Sequence, residues 1–219
     1  MNTQVYLLEL DFLKDPELFE KMRSYASLGR RLRADKYRFR EDRIRSLGAG
    51  LLLRYVTSLS DEDMAYESAG KPYFPEHPEL AFSLSHAGML AALVVSQRRC
   101  GIDAEEYREE KESFRLIAEK FFTEEERNEV YARETCCASE KTFDASAFAR
   151  IWTRKEAYVK MTGEGIGGLR RTAERPCFFP ELPAPEGYAL SLCLEGGEPE
   201  EIMTRIVPPE ELSAHFQCP

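Results

Sequence analysis

The chain has 219 residues, 43% of them hydrophobic and 32% charged, with a net charge of −9. That is enough apolar material for one large domain or two small ones, and too much for a disordered chain. The longest apolar run, residues 89–95, falls far short of the roughly 20 residues a membrane helix needs, so no membrane association is expected.

The charge is uneven. Residues 21–54 hold eleven basic residues against three acids, a local charge of +8 that leaves −17 for the rest. A local basic patch suits a discrete anionic ligand. Binding along a nucleic-acid backbone wants a broadly basic face, so no nucleic-acid partner is expected. The six cysteines, Cys100, Cys136, Cys137, Cys177, Cys193 and Cys218, show no Cys-x-x-Cys spacing, and there are only three histidines. A Cys/His zinc site is therefore not expected. Free thiols and a reducing, cytoplasmic setting are, with Cys136-Cys137 incidental to a polar loop. The first residues lack the basic-then-apolar pattern of a signal peptide.

In chain order, residues 4–10 read as a first strand and residues 15–25 as a helix opened by Asp15-Pro16. Residues 31–58 read as one or two helices carrying the basic patch, with Ile44, Leu47, Leu51, Leu52 and Val56 as an apolar stripe. Gly70-Lys71-Pro72 signals a turn. Residues 80–85 and 89–96 form a hairpin around His86-Ala87-Gly88. The strand Gly101-Ile102-Asp103-Ala104-Glu105 follows. Residues two apart in a strand share a face, so Asp103 and Glu105 point together while Ile102 and Ala104 point into a core.

Residues 112–122 are helical, and Thr123 caps a further helix whose first turn is Glu124-Glu125-Glu126. Residues 134–146 read as a polar linker. Trp152-Thr153-Arg154-Lys155-Glu156-Ala157-Tyr158-Val159-Lys160 lies on a helix ended near Gly163. Residues 188–194 and 201–207 are strands joined by a Gly196-Gly197 turn, and residues 211–218 a last strand. This order gives an α+β fold of two similar halves, residues 1–100 and 101–219, each a small, mostly antiparallel sheet packed with helices, with the active site at their interface.

The lysine-bearing helix carries an anomaly. At about 100° per residue, Phe148, Ile151, Trp152 and Val159 form one stripe; Lys155 falls inside it and Glu156 at its edge. A lysine in a core-facing arc must snorkel out or meet an anion. Glu156 and Lys160, four apart, share a face. The plain reading is a snorkelling Lys155 and a Glu156–Lys160 surface pair, with Trp152 in the core below. The Asp-x-Glu strand favours another: three carboxylates and a lysine, gathered by folding, make a site for a hard cation and a phosphate-bearing substrate. A metal-dependent nuclease would use similar groups, but the global acidity counts against it. A non-catalytic domain that binds a protein partner or nucleotides is the other alternative.

Five segments in this order resemble the 4′-phosphopantetheinyl transferases of the larger, monomeric, Sfp-like type. They are Gly70-Lys71-Pro72, Ser83-Leu84-Ser85-His86, Gly101-Ile102-Asp103-Ala104-Glu105, Lys120-Phe121-Phe122-Thr123 with Glu126, and Trp152 to Ala157 with Lys160. The resemblance implies transfer of the phosphopantetheine arm of coenzyme A to a serine of an apo acyl or peptidyl carrier protein, leaving adenosine 3′,5′-bisphosphate. It implies Asp103, Glu105 and Glu156 as ligands of Mg²⁺, with Mn²⁺ as an alternative. Lys155 and Lys160 would contact the diphosphate, and Lys71, Ser85 and His86 would hold coenzyme A. Arg30, Arg33 and Arg45 resemble the basic residues near the nucleotide 3′-phosphate. Glu126 resembles an acid beside the metal, and Glu156, Lys160 and Glu126 are the candidate catalytic groups. Ala104 stands where the family usually has a branched aliphatic residue.

Overall fold

A computed structural model describes residues 2–108, 112–131, 142–170 and 175–217. The elements run β1 (Gln4–Glu9), α1 (Pro16–Tyr25), α2 (Leu28–Asp35), α3 (Arg40–Thr57), β2 (Ala65–Tyr66), β3 (Pro72–Tyr73), β4 (Ala81–Ala87), β5 (Leu90–Ser96) and β6 (Cys100–Glu106). They continue with α4 (Glu112–Phe121), α5 (Glu124–Val130), α6 (Ala145–Thr162), β7 (Cys177–Phe178), β8 (Tyr188–Glu195), β9 (Met203–Ile206) and α7 (Pro209–His215). The α+β class expected from the sequence is the one observed.

Two sheets carry the molecule. The first has the order β4-β5-β1-β9, the second β6-β8-β7, and β2-β3 forms a separate small ladder. Strand alternation assigns the faces. In β5, Ala91, Leu93 and Val95 join a core shared with Met22 of α1, Leu47 and Leu51 of α3, and Leu212 of α7. Leu90, Ala92 and Val94, on the other face, join Ile102 and Ala104 of β6 and Leu192 and Leu194 of β8. Beyond β6 and β8, α6 covers the second sheet through Ala157, Tyr158 and Met161 against Cys193. The layers are thus helix, sheet, sheet, helix. Ile102 and Ala104 are buried as the alternation predicts.

The sheets meet at two edges, β4 and β6. An edge strand leaves backbone N–H groups unpaired, and burying them bare is costly. Here the first sheet supplies hydroxyls: Ile102 N–H donates to Ser83 Oγ at 3.1 Å, and Ala104 N–H to Ser85 Oγ at 3.3 Å. The Ser-Leu-Ser pattern therefore has a structural meaning: the serines face β6 while Phe82 and Leu84 face the helices.

Several boundaries differ from expectation. The last segment is a helix, not a strand. Pro209 opens it, Glu210 and Glu211 fill an acidic first turn, and Leu212 is its buried anchor, so helix-start chemistry outweighs any strand pattern. The Gly196-Gly197 turn does not pair β8 with β9; β9 runs parallel to β1 in the first sheet. The final elements so return to the side of the molecule where the chain began. His86 lies inside β4, and the hairpin turn is Gly88-Met89, with Gly88 at φ 50°. Ala145 and Ser146, expected in the linker, already belong to α6, because Asp144 caps it through Ser146 and Ala147 N–H. The Cys136-Cys137 pair and Cys218 lie outside the described residues.

Gly101 fixes how closely α6 can lie on β6. A Cβ there would sit 2.1 Å from Ala157 O and 2.4 Å from Met161 N, both backbone atoms. Gly101→Ala should lower stability by about 2–3 kcal/mol through overpacking, a fall in Tm of roughly 4–12 °C for a chain of this length. A calorimetric Tm within 1–2 °C of wild type (roughly 0.5 kcal/mol at this size) would show that the helix shifts freely.

Candidate active site

One cavity of about 520 Å³ opens between the two sheets and α6. It gathers Arg30, Arg33, Ser85, His86, Asp103, Glu105, Glu156 and Lys160, eight of the residues singled out from the sequence. An adjoining cavity of about 330 Å³ holds Lys71 and shares Phe82, Leu84, Glu156 and Lys160 with the first. Arg45, Glu126 and Lys155 line neither.

At the centre is a saturated hydroxyl. Ser85 Oγ donates to Asp103 Oδ1 at 2.8 Å and accepts from Lys160 Nζ at 3.0 Å and from Ala104 N–H. One donor and two acceptor positions are all a hydroxyl has. Lys160 Nζ also donates to Asp103 Oδ1 at 2.6 Å, and Asp103 is 6% exposed. Burial, followed by the charge of Asp103, holds the Glu156 carboxyl above its usual range, with Lys160 opposing and Glu105 adding to the rise. The carboxylates of β6 and α6 thus repel each other more than the local lysine compensates.

These three side chains offer only oxygen donors, the set preferred by Mg²⁺ or Mn²⁺. Among the described residues no three Asp, Glu, His or Cys side chains sit close enough to hold a metal together. The ammonium of Lys160 rests on Asp103 instead. The donor chemistry and the excess negative charge fit a divalent cation.

The other end of the cavity is basic. Arg30 is almost fully buried and grips Asp61 through Nε at 2.9 Å and Nη2 at 2.7 Å, with Nη1 donating to Ser46 O. Losing one partner of such a buried pair costs about 3–5 kcal/mol. Arg33 reaches Tyr66 Oη at 3.1 Å and lies 3.7 Å from Asp61. Arg45 pairs with Asp42 and donates to Gly88 O, so it adds field to this end without lining it. Lys71 is turned to two carbonyls, Cys100 O at 2.8 Å and Lys160 O at 2.5 Å. An ammonium has three donors, so one remains. Burial lowers the Lys71 pKa.

Lys155 resolves the anomaly read from its helix. It neither snorkels nor enters the cavity; its Nζ meets Glu126 at 2.9 Å and lies over the Phe122 ring. Glu126 also closes the capping box with Thr123 at the start of α5, so one carboxylate ties α5 to α6. Trp152, expected in the core, is half-buried and forms part of the cavity wall. Tyr66 lines the cavity and Asp61 holds its arginines, and neither carried a sequence signal: Tyr66 lies in the two-residue strand β2 and Asp61 in a short acidic turn, both too short to show a period.

Residues 99–193 match the family model described as the 4′-phosphopantetheinyl transferase superfamily. The chain is 29% identical to the 4′-phosphopantetheinyl transferase psf-1 of Bacillus pumilus, over 92% of this chain and 95% of that protein. It is 25% identical to the 4′-phosphopantetheinyl transferase Sfp of Bacillus subtilis strain 168, over 91% and 96%. The chain is thus similar to 4′-phosphopantetheinyl transferases over most of its length, and to their family model over residues 99–193. A shorter stretch, 53% of the chain, is 38% identical to the transferase AcpT of Salmonella typhi. The match over residues 99–193 takes in β6 and α6, the strand and helix that carry Asp103, Glu105 and Glu156.

His86 of the transferase is open to solvent on one side, yet the wall behind it lowers its pKa below the ordinary 6.5, and the charges of Lys160, Arg45 and Arg30 act in the same direction. The sign follows. A histidine with a depressed folded pKa binds fewer protons folded than unfolded, so stability falls as pH drops below about 6.5. His86→Asn should flatten the change in urea midpoint between about pH 7.5 and pH 5.5. A wild-type slope in the variant would assign that change to other groups.

Proposed function

We propose that this transferase moves the 4′-phosphopantetheine arm of coenzyme A to a serine of an apo acyl or peptidyl carrier protein, giving the holo carrier and adenosine 3′,5′-bisphosphate. One observation carries the reading. A single cavity is lined by two arginines and a histidine as well as by three carboxylates with Lys160. An elongated ligand with phosphates at one end and a reacting diphosphate at the other matches that combination.

In this reading Arg30, Arg33 and His86 take the nucleotide end, with Arg45 behind them, and Lys71 offers its remaining N–H from the adjoining cavity. The fixed partners of Arg30 and Arg33 preorganise them, which reduces the ordering cost of binding. Asp103, Glu105 and Glu156 would hold Mg²⁺ or Mn²⁺. Such an ion, when bound, supplies neutralisation of the diphosphate charge.

The carrier serine Oγ attacks the β-phosphorus. An O–P bond forms, and the bond to the bridging oxygen breaks, leaving that oxygen on adenosine 3′,5′-bisphosphate. The serine proton goes to a Glu156 carboxylate oxygen. Lys160, held by Asp103 and Ser85, places its charge where the leaving oxygen becomes negative. Glu126 acts through Lys155. The expected contact of Lys155 with the diphosphate requires that ion pair to open.

Both ends of the site come from one chain, so a monomer suffices. Among the described residues no helix is long and apolar enough to cross a membrane, and Cys100, Cys177 and Cys193 are free thiols. A cytoplasmic setting is in keeping with both.

Incubation with coenzyme A, Mg²⁺ and an apo carrier, read by intact-protein mass spectrometry, should add one phosphopantetheine to the carrier. Glu105→Ala and Asp103→Asn should reduce the rate at least about a hundredfold, the scale of losing a group that stabilises transition-state charge, while circular dichroism stays that of wild type. Wild-type rates at saturating Mg²⁺ in both variants would overturn the ligand assignment. Absence of both transfer and coenzyme A binding in the wild type would overturn the function.

A further inference from the structure

The C-terminal end of α6 is finished by Lys71 and by Arg99, which lies outside every motif noted above. Gly163 turns the chain at φ 72°, and its N–H returns to Val159 O. The carbonyls of Lys160, Met161 and Thr162 are then orphans of the last turn. Each is met by a cation from outside the helix. Lys71 Nζ donates to Lys160 O at 2.5 Å, Arg99 Nε to Met161 O at 2.7 Å, and Arg99 Nη2 to Thr162 O at 3.0 Å.

Arg99 has a second task. Its Nη1 and Nη2 grip Glu67 Oε1 and Oε2 at 2.7 and 2.6 Å. Glu67 closes the turn between β2 and β3: its N–H donates to Lys71 O at 2.9 Å, and its carbonyl accepts from Gly70 N–H. One planar guanidinium therefore joins the end of α6 to the turn that carries Lys71. Five donors in a fixed fork make arginine suited to this, where lysine would meet one partner at a time. The fit is close. A Cβ on Gly163 would lie 2.9 Å from Arg99 Nη2 and 3.0 Å from Glu67 Oε2, so glycine is required for space as well as for φ.

We infer that Arg99 and Glu67 are positioning residues of the site. With Lys71 they lock the last turn of α6, so that Lys160 Nζ stays on Asp103 and Ser85 when the diphosphate arrives. The assignment rests on the transfer reading above. It makes the end of α6 and the Lys71 turn one rigid unit spanning both sides of the cavity, and it places the control of Lys160 in two residues that touch neither substrate.

The test compares Arg99→Gln and Arg99→Lys with Arg98→Gln. Arg98 binds Glu195 O, Gly196 O, Glu198 O and the Glu200 carboxylate and, among the described residues, has no bond to α6, so its loss removes five side-chain bonds against the four of Arg99 and leaves the helix end capped. Hydrogen exchange of the amides in the last turn of α6 reads the lock directly. Fluorescence of Trp152, the single tryptophan and part of the cavity wall, reads coenzyme A binding, and mass spectrometry reads turnover. Arg99→Gln should speed that exchange about tenfold or more and raise the KM for coenzyme A about fivefold or more, the reach of a small misplacement of a charged group. Arg99→Lys should recover part of both. Arg98→Gln should lower Tm and leave both unchanged.

Unchanged exchange in Arg99→Gln overturns the lock. Faster exchange with wild-type KM and kcat reduces Arg99 to a helix cap and overturns its positioning role. If Arg99→Gln fails to fold, Glu67→Gln, which weakens the carboxylate grip that holds the Arg99 guanidinium against the helix end, carries the same comparison. The exchange measurement needs no turnover. A wild type that transfers nothing would therefore refute the transfer reading while the exchange still decided whether Arg99 locks the helix.

Discussion

The contact on which the rest of the molecule depends is the closure of the β6 edge by serines from the other sheet. Two sheets can pack face to face through apolar side chains alone, and here they do so along most of their contact. At the rim, however, β6 would bury two unpaired N–H groups. Ser83 and Ser85 remove that cost, worth about 1–3 kcal/mol for each bare group, and in doing so fix the register between the sheets. Ser85 is one residue from His86 and hydrogen-bonded to Asp103, so the register that satisfies the backbone also sets the site. Structure and chemistry meet at one hydroxyl.

From that point the geometry is propagated by two rigid contacts on α6. Gly101 lets the helix lie against the β6 backbone, which brings Glu156 and Lys160 over Asp103. The caps at the end of the helix then stop it from rotating about that contact. The buried Arg30–Asp61 pair does the corresponding work at the basic end, holding a guanidinium at the cavity wall in a fixed orientation. In each case a charge is kept in place by groups that do not face the ligand, which is what preorganisation requires.

Much of this was legible in the sequence, for physical reasons that can be named. Period two in Ile102 to Glu105 and spacing four in Glu156 to Lys160 report faces, and a face decides which residues meet. Local helix chemistry at Asp15, Thr123 and Gly163 reports ends, because orphan backbone groups must be satisfied nearby. What was not legible lies in long-range pairing. Nothing local distinguishes Lys155 bound for a ligand from Lys155 bound for Glu126, since both keep a lysine in an apolar arc. Trp152 shows the same limit: an aromatic on a core-facing stripe lines a cavity as readily as it fills a core. The misread tail had a different cause. Its apolar residues are too few to show a period, and Pro208-Pro209 with two glutamates carried the information instead.

The pairing of charges also explains why so acidic a chain can hold a cation-rich cavity. The arginines of the basic end are matched to nearby acids, Arg45 to Asp42 and both Arg30 and Arg33 to Asp61. The carboxylate end is different. Lys160 pairs with Asp103, yet burial and the charge of Asp103 still hold the Glu156 pKa above its usual range. At Glu156 the charge is only partly offset. A ligand that brings positive charge to the carboxylates and phosphates to the arginines offsets the remainder without disturbing the pairs already made, and it is at the carboxylate end that bonds are proposed to break.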